Sequence, residues 1–209
     1  ELELREDDEE ALRSLETLYE DIGDFEALAE NLSVQARVGP PGRRPELLER
    51  LGTIYEEVLE RPADAVEVYH ELLEADPESK AAFDALERLY RRQERWVDLT
   101  DLLRQRAGAT FDEEERISVL ERLADVNEEQ LDDVTEAMSV YNEILSAEPE
   151  HADALDALER LYRAEAQWAD LVDVLRQKLM TLGDDQEDAR TELELELAEV
   201  LQREVFEIE

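Results

Sequence analysis

Residues 82–105 read AFDALERLYRRQERWVDLTDLLRQ, and residues 154–177 read ALDALERLYRAEAQWADLVDVLRQ. Tyr90 falls on Tyr162 and Trp96 on Trp168, an offset of 72 in both cases. The preceding stretches keep the same offset, with Ala65, Tyr69 and Pro77 recurring as Ala137, Tyr141 and Pro149. Toward the N-terminus, Leu15, Tyr19 and Phe25 lie 71 residues before Leu86, Tyr90 and Trp96. Matching this dense at a fixed spacing marks an array of stacked units in which each unit buries its apolar face against its neighbours.

Each 72-residue unit divides into two similar halves of about 36 residues. The first carries Leu51-Gly52-x-x-Tyr55, then Ala65-x-x-x-Tyr69, Leu72-Leu73 and Pro77; the second carries Leu86, Leu89-Tyr90, Trp96, Leu99 and Leu103. Within each half the apolar residues recur at i, i+3, i+4 and i+7, the spacing of one helix face. Two such stripes with a break between them predict a helix–turn–helix hairpin. Pro77 and Pro149 stop the helices before them, because the residue ahead of a proline avoids the α region. Pro62 suits a first helical turn, where its missing N–H costs nothing. Asp112 with Glu115, and Asp133 with Glu136, have the spacing of helix-start capping pairs, and Asp184 or Asp185 is a candidate start for the last helix. Residues 38–45, VGPPGRRP, read as the longest loop. The expected organisation is one array over residues 1–209. Its helix pairs fall near 8–36, 45–77, 79–107, 113–149 and 151–180, with one leftover helix near 186–207 carrying Leu193, Leu197, Val200, Leu201, Val205 and Phe206. Residues 192–197 alternate ELELEL, a strand pattern in isolation, but their place one repeat after residues 117–127 favours helix. Repeats two and four are one residue longer at the helix turn.

With these residues at these spacings the chain resembles the tetratricopeptide repeat family. Leu51, Gly52 and Tyr55 match the family's first-helix pattern, and Ala65, Tyr69 and Pro77 match its second-helix and terminating positions. The odd-numbered repeats depart from it, with Glu16, Glu87 and Glu159 where small residues usually sit and Leu28, Leu99 and Leu171 where alanine is preferred. The resemblance implies an all-α fold, a right-handed superhelical solenoid of antiparallel helix pairs with about 11 helices. It also implies a bacterial protein-binding scaffold rather than an enzyme.

Composition agrees with helix: Ala, Leu, Glu and Arg dominate, glycine and proline number six each, and 43% of residues are hydrophobic, too many for a disordered acidic tail. Sixty acidic residues against twenty-two basic ones give a formal net charge of -38, so nucleic acid and anionic membranes are poor partners. Lysine occurs only at Lys80 and Lys178, as fits a GC-rich coding sequence or a salty habitat. There is no cysteine, which removes disulfides and thiolate chemistry. No apolar run reaches the roughly 18 residues that span a bilayer, and no signal peptide is visible. The sequence names no compartment. The chain opens at Glu1 rather than at a methionine, as an excised piece of a longer protein would.

The sequence carries no recognisable catalytic, cofactor or metal motif. His70 and His151 lack neighbours at ligand or base spacing and read as surface or structural. No phosphate-cradling glycine loop and no calcium loop occurs. Phe25, Trp96 and Trp168 hold equivalent positions at the start of second helices. They read either as packing between the helices of a pair or as anchors for a bound peptide, with packing favoured by their regularity. Tyr55, Tyr69, Tyr90, Tyr141 and Tyr162 read as core positions whose hydroxyls reach the helix edge.

In the family geometry the first helices line a concave face. On it the third repeat would present Arg88, Arg91 and Arg92, and the fifth Asp156, Arg160 and Arg163. The second and fourth would present Glu49, Thr53, Glu56 and Glu121, Asp125, Glu128. Arginine offers a planar fork for carboxylates, so Arg88, Arg91, Arg92, Arg160 and Arg163 are candidate partner-binding residues. The competing reading pairs them with neighbouring glutamates, as in Glu87 to Arg91 at i, i+4. Two functions follow: a scaffold presenting this groove to a protein or peptide, or a structural spacer that self-assembles, for example as a homodimer through its terminal helix.

Overall fold

The computed structural model describes residues 9–183 and 186–207. Asp184 and Asp185, and the side chains of Val205 and Phe206, lie outside the described residues. The described residues form eleven α-helices and contain no strand: α1 (Glu9–Ile22), α2 (Phe25–Val38), α3 (Arg44–Thr53), α4 (Pro62–Ala75), α5 (Lys80–Arg92), α6 (Trp96–Ala109), α7 (Glu113–Glu129), α8 (Val134–Ala147), α9 (Ala152–Ala164), α10 (Trp168–Thr181) and α11 (Glu187–Glu207). The chain divides into two compact units, Glu1–Leu102 and Leu103–Glu209, with the boundary inside α6. Helices that follow one another pack together: α1 to α5 successively in the first unit, α7 to α11 successively in the second.

The cores are the predicted stripes. Leu48, Leu51, Leu72, Leu86 and Leu89 are buried in the first unit, and Leu120, Leu123, Ile144, Leu158 and Leu171 in the second. Each buried leucine contributes about 1.5–3 kcal/mol by leaving water. Even-numbered pairs place a small residue on the first helix opposite a tyrosine on the second. A Cβ added to Gly52 would lie 2.5 Å from Tyr69 Cε1, so the ring lies almost on the α3 backbone; Ala124 and Tyr141, both buried, hold the same two positions in the second unit.

Odd-numbered pairs fill that space differently. Glu16, at the glycine position, accepts from Gln35 Nε2 at 2.7 Å and from Arg50, and Gln35 also donates to Asn31 Oδ1 at 2.7 Å. Burial would raise the Glu16 pKa, but the hydrogen bonds from Gln35 and Arg50 outweigh it and hold the carboxyl below its usual range. Glu159 meets Lys178 Nζ at 2.5 Å, and Lys178 also reaches Asp156. Burial would lower the lysine's pKa; its two carboxylates outweigh that and raise it. Gln35, Arg106 and Lys178 share one register of the second helix, so the polar residue on the first helix is answered by a polar residue on the second.

Every hairpin turn contains one residue in the left-handed region: Gly23 (φ 70°), Glu60 (52°), Glu94 (55°), Asp132 (54°) and Ala166 (54°). Pairs one, three and five close in the same way. The N–H groups of Asp24, Arg95 and Gln167 bond Tyr19, Tyr90 and Tyr162 carbonyls, five residues back, the capping pattern that ends a helix on a left-handed residue. Pairs two and four carry the extra residue as a wider turn: Leu59 N–H bonds Ile54 O, Leu131 N–H bonds Val126 O, and Arg61 and Asp133 reach six residues back to Tyr55 and Asn127. Residues Ile54–Val58 form a π-helical turn as a result, the usual way a helix absorbs one residue too many.

Helix starts follow the side chains that cap them. Asp112 Oδ1 accepts from Glu115 N at 2.8 Å and Asp133 Oδ1 from Glu136 N at 3.0 Å; Pro62 opens α4, while α4 and α8 end two residues before Pro77 and Pro149. The 38–45 segment is not the long loop expected. Pro41–Arg43 form a 3-10 turn and α3 begins at Arg44, leaving Gly39 and Pro40 as the break. The prolines suit helix first turns, where no N–H is needed, and so start structure here rather than prevent it. The ELELEL stretch is helical within α11, where Val200 is buried, Leu193, Leu197 and Leu201 are half-buried and Leu195 points off the face at 64% exposure.

Replacing Ala166 by glycine removes the strain of a left-handed Cβ and should raise the urea midpoint by the equivalent of about 1 kcal/mol. Gly23→Ala should lower it by a similar amount, and equal midpoints for both variants and wild type would contradict this account of the turns.

Candidate functional site

The candidate arginines stand on the first helices of pairs three and five, and the structure gives four of them partners. In the first unit Arg88 on α5 reaches back to Glu56 at the end of the preceding first helix, with Nε 3.0 Å from Oε1 and Nη2 2.7 Å from Oε2. Tyr69 Oη lies 3.5 Å from the same carboxylate. In the second unit Arg160 on α9 holds Glu128 at 2.5 and 2.9 Å. The two locks are copies: Glu56, Tyr69 and Arg88 plus the 72-residue offset give Glu128, Tyr141 and Arg160.

In each lock the carboxylate is covered and the guanidinium is open. The Arg88 side chain is 55% exposed against 7% for Glu56, and Arg160 is 58% exposed against 19% for Glu128. The hydrogen bonds that each arginine donates to its glutamate push the arginine pKa further up, so both remain cations at any working pH. Tyr141 is pushed up to about 12, by burial first and then by the charges of Asp125 and Glu128. A two-bond lock uses part of a guanidinium's five donors and leaves the rest facing outward in a fixed orientation.

Arg91 pairs with Glu87 at 3.1 Å, and Arg163 with Glu159 at 2.9 Å and with Glu196 of α11. Arg92 is exposed and makes no ion pair among the described residues. Sequence spacing had identified the Glu87–Arg91 pair but missed Glu56 and Glu128, which lie 32 residues from their arginines. The available signal was their own 72-residue offset, shared with the arginines.

The histidines are structural. His151 caps α9, its Nδ1 accepting from Ala154 N at 3.3 Å, while Nε2 lies 3.2 Å from Glu121. His70 Nε2 lies 2.6 Å from Tyr90 Oη, and the repeat equivalents Asn142 and Tyr162 are joined at 2.6 Å in the same way. Trp96 and Trp168 are half-buried at the start of α6 and α10; Arg203 lies over the Trp168 ring at 5.6 Å, and Trp168 Nε1 has no hydrogen-bond partner among the described residues. Among the described residues no helix is long and apolar enough to cross a membrane.

Tetratricopeptide repeat family models match residues 46–79, 82–117 and 154–190, together about half of the chain. The chain belongs to the tetratricopeptide repeat family, whose repeats serve in general as protein-interaction scaffolds. No curated protein matches it in sequence. Similar solved structures include a MamA protein (17% identity, 82% of this chain and 90% of that one, TM-score 0.45). A tetratricopeptide repeat protein from Parabacteroides merdae is another (16% identity, 94% and 78%, TM-score 0.46). A third is the pilF protein of Pseudomonas aeruginosa (18% identity, 92% and 84%, TM-score 0.44).

His70 carries a pH dependence. Burial of its ring, and then the Arg95 guanidinium, outweigh Asp98 and Glu74 and hold its pKa below the ordinary value. The unfolded chain therefore binds the proton first, and the histidine's contribution to stability is full above the ordinary histidine pKa and declines as pH falls below it. His70→Asn copies the bond of Asn142. Its urea midpoint should fall less than that of wild type between pH 7.5 and about pH 5.5, and parallel declines would rule out a part for His70.

Proposed function

We propose that this chain is a scaffold that binds a protein or peptide partner through its first helices, with Arg88, Arg91 and Arg92 in the first unit and Arg160 and Arg163 in the second receiving acidic groups of that partner. The observation that carries the reading is the repeated lock. A covered glutamate holds each of Arg88 and Arg160 in one orientation while more than half of the arginine side chain stays open. Holding the guanidinium before binding lowers the ordering cost that a free arginine would meet. The remaining donors suit a carboxylate, and Arg92 adds a cation with no competing ion pair among the described residues. No catalytic group enters this reading.

Changing Arg88, Arg91, Arg160 and Arg163 together to glutamate should abolish capture of a partner that wild type retains from lysate of the source organism, at low and at moderate salt. Equal capture by both forms would place the binding surface elsewhere.

A spacer that associates through its ends is the second reading, and one observation favours it. Leu18 on α1 is 50% exposed, whereas its repeat equivalents Leu89 and Leu161 are 0% and 4% exposed. Ile22, one turn on, is 62% exposed. Leu18→Asp with Ile22→Asp should abolish concentration-dependent self-association in sedimentation if this face joins copies, and a wild type that stays monomeric at high concentration would remove this reading.

A further inference from the structure

Two clefts hold equivalent places in the repeat, each between consecutive second helices with a first helix beneath. One lies between α2 and α4 over α3; the other lies between α6 and α8 over α7. Register equates Ser33 with Arg104 at an offset of 71, and Arg44, Asp64 and Glu71 with Arg116, Glu136 and Glu143 at an offset of 72.

The second cleft is bridged from within. Arg104 crosses from α6 to α8, where Nη1 lies 2.9 Å from Glu143 Oε2 and Nη2 pairs with Glu136. Arg116 takes the other oxygen of Glu143 at 3.3 Å. Two guanidinium groups therefore share this cleft, because Glu143 offers one oxygen to each.

The first cleft keeps the acids and lacks the arginine. Ser33 cannot span it, and a cavity of about 590 Å³ opens instead, floored by Leu48 and Leu51, with Asp64, Glu67 and Glu71 along one wall. That volume falls within the range of ligand sites. Arg44 lies 3.6 Å from Glu71, as Arg116 lies beside Glu143, and Asp64 is turned to Arg61 at 2.6 Å. Glu67 is exposed and makes no ion pair among the described residues. Arg37 stands at the opposite rim.

We propose that the α2/α4 cleft receives an arginine side chain from a protein partner, in the place that Arg104 fills in the second unit. The aliphatic stem lies along the leucine floor and the planar fork meets the carboxylates of α4, as a long basic side chain does when its stem is buried and its charge is not. This site is separate from the first-helix arginines, and takes the opposite charge.

The test titrates the full chain with the peptide acetyl-Ala-Arg-Ala-amide at moderate salt, followed by backbone NMR shifts and calorimetry. Saturable shifts should centre on Ser33, Leu51 and Glu67, and the same peptide with citrulline should bind at least about tenfold more weakly. Ser33→Arg fills the cleft from within and should abolish binding, while Arg104→Ser should open a second site and raise the stoichiometry from one to two. Should Ser33→Arg misfold, Asp64→Asn with Glu71→Gln is the second route to loss of binding. Unchanged binding in Ser33→Arg overturns the proposal, as does a stoichiometry of one kept by Arg104→Ser. Shifts spread over the acidic surface, alike for arginine and citrulline, overturn it too.

Discussion

The Tyr69 ring lies so close to Gly52 that a single added carbon would overlap it, and this contact shows what the space between paired helices allows. A tyrosine on the second helix requires a residue with little or no side chain on the first. Where the second helix carries leucine instead, at Leu32, Leu103 and Leu175, the first helix has room for Glu16, Glu87 and Glu159. A carboxylate placed there needs a hydrogen-bonding partner, because an uncompensated buried charge is costly. The structure supplies Gln35 and Arg50 for Glu16, and Lys178 and Arg163 for Glu159. Much of the polar chemistry between helices follows from these two ways of filling one space.

What could be read from the sequence was what depends on neighbours along the chain. Helix faces, the aspartate caps and the proline stops all act within one turn, so Asp112, Asp133 and Pro62 could be placed without coordinates. The extra residue of repeats two and four was also visible as a count, although the wide turn that absorbs it was not. Residues 38–45 read as a loop in sequence because proline forbids a helix interior, yet it also favours a helix start, and composition does not distinguish the two positions. The glutamates that hold Arg88 and Arg160 were seen as an acidic band but not as partners. Ion pairs across 32 residues depend on how successive pairs stack, which only three-dimensional placement determines.

The acid excess is not spread evenly over this chemistry. Several arginines sit beside more than one carboxylate: Arg50 between Glu16 and Glu20, Arg61 between Glu26 and Asp64, Arg104 between Glu136 and Glu143. These three cations are placed at joints between helices, where an acid would otherwise face another acid. Exposed pairs of this kind are individually weak, worth about 1 kcal/mol or less. Their effect here is to relieve repulsion at the joints of a molecule with a formal net charge of -38.

The locks join unlike neighbours: a glutamate in an even-numbered pair holds an arginine in the odd-numbered pair that follows. The quantum of length for such a chain is therefore two helix pairs, not one. Loss of a single pair would set two pairs of the same kind side by side and leave a covered carboxylate facing the wrong register. Loss or gain of 72 residues would keep both partners of each lock in register. A lineage built this way can grow by doubling its larger unit, and each added unit brings another cleft whose filling turns on one residue, as Ser33 and Arg104 already differ.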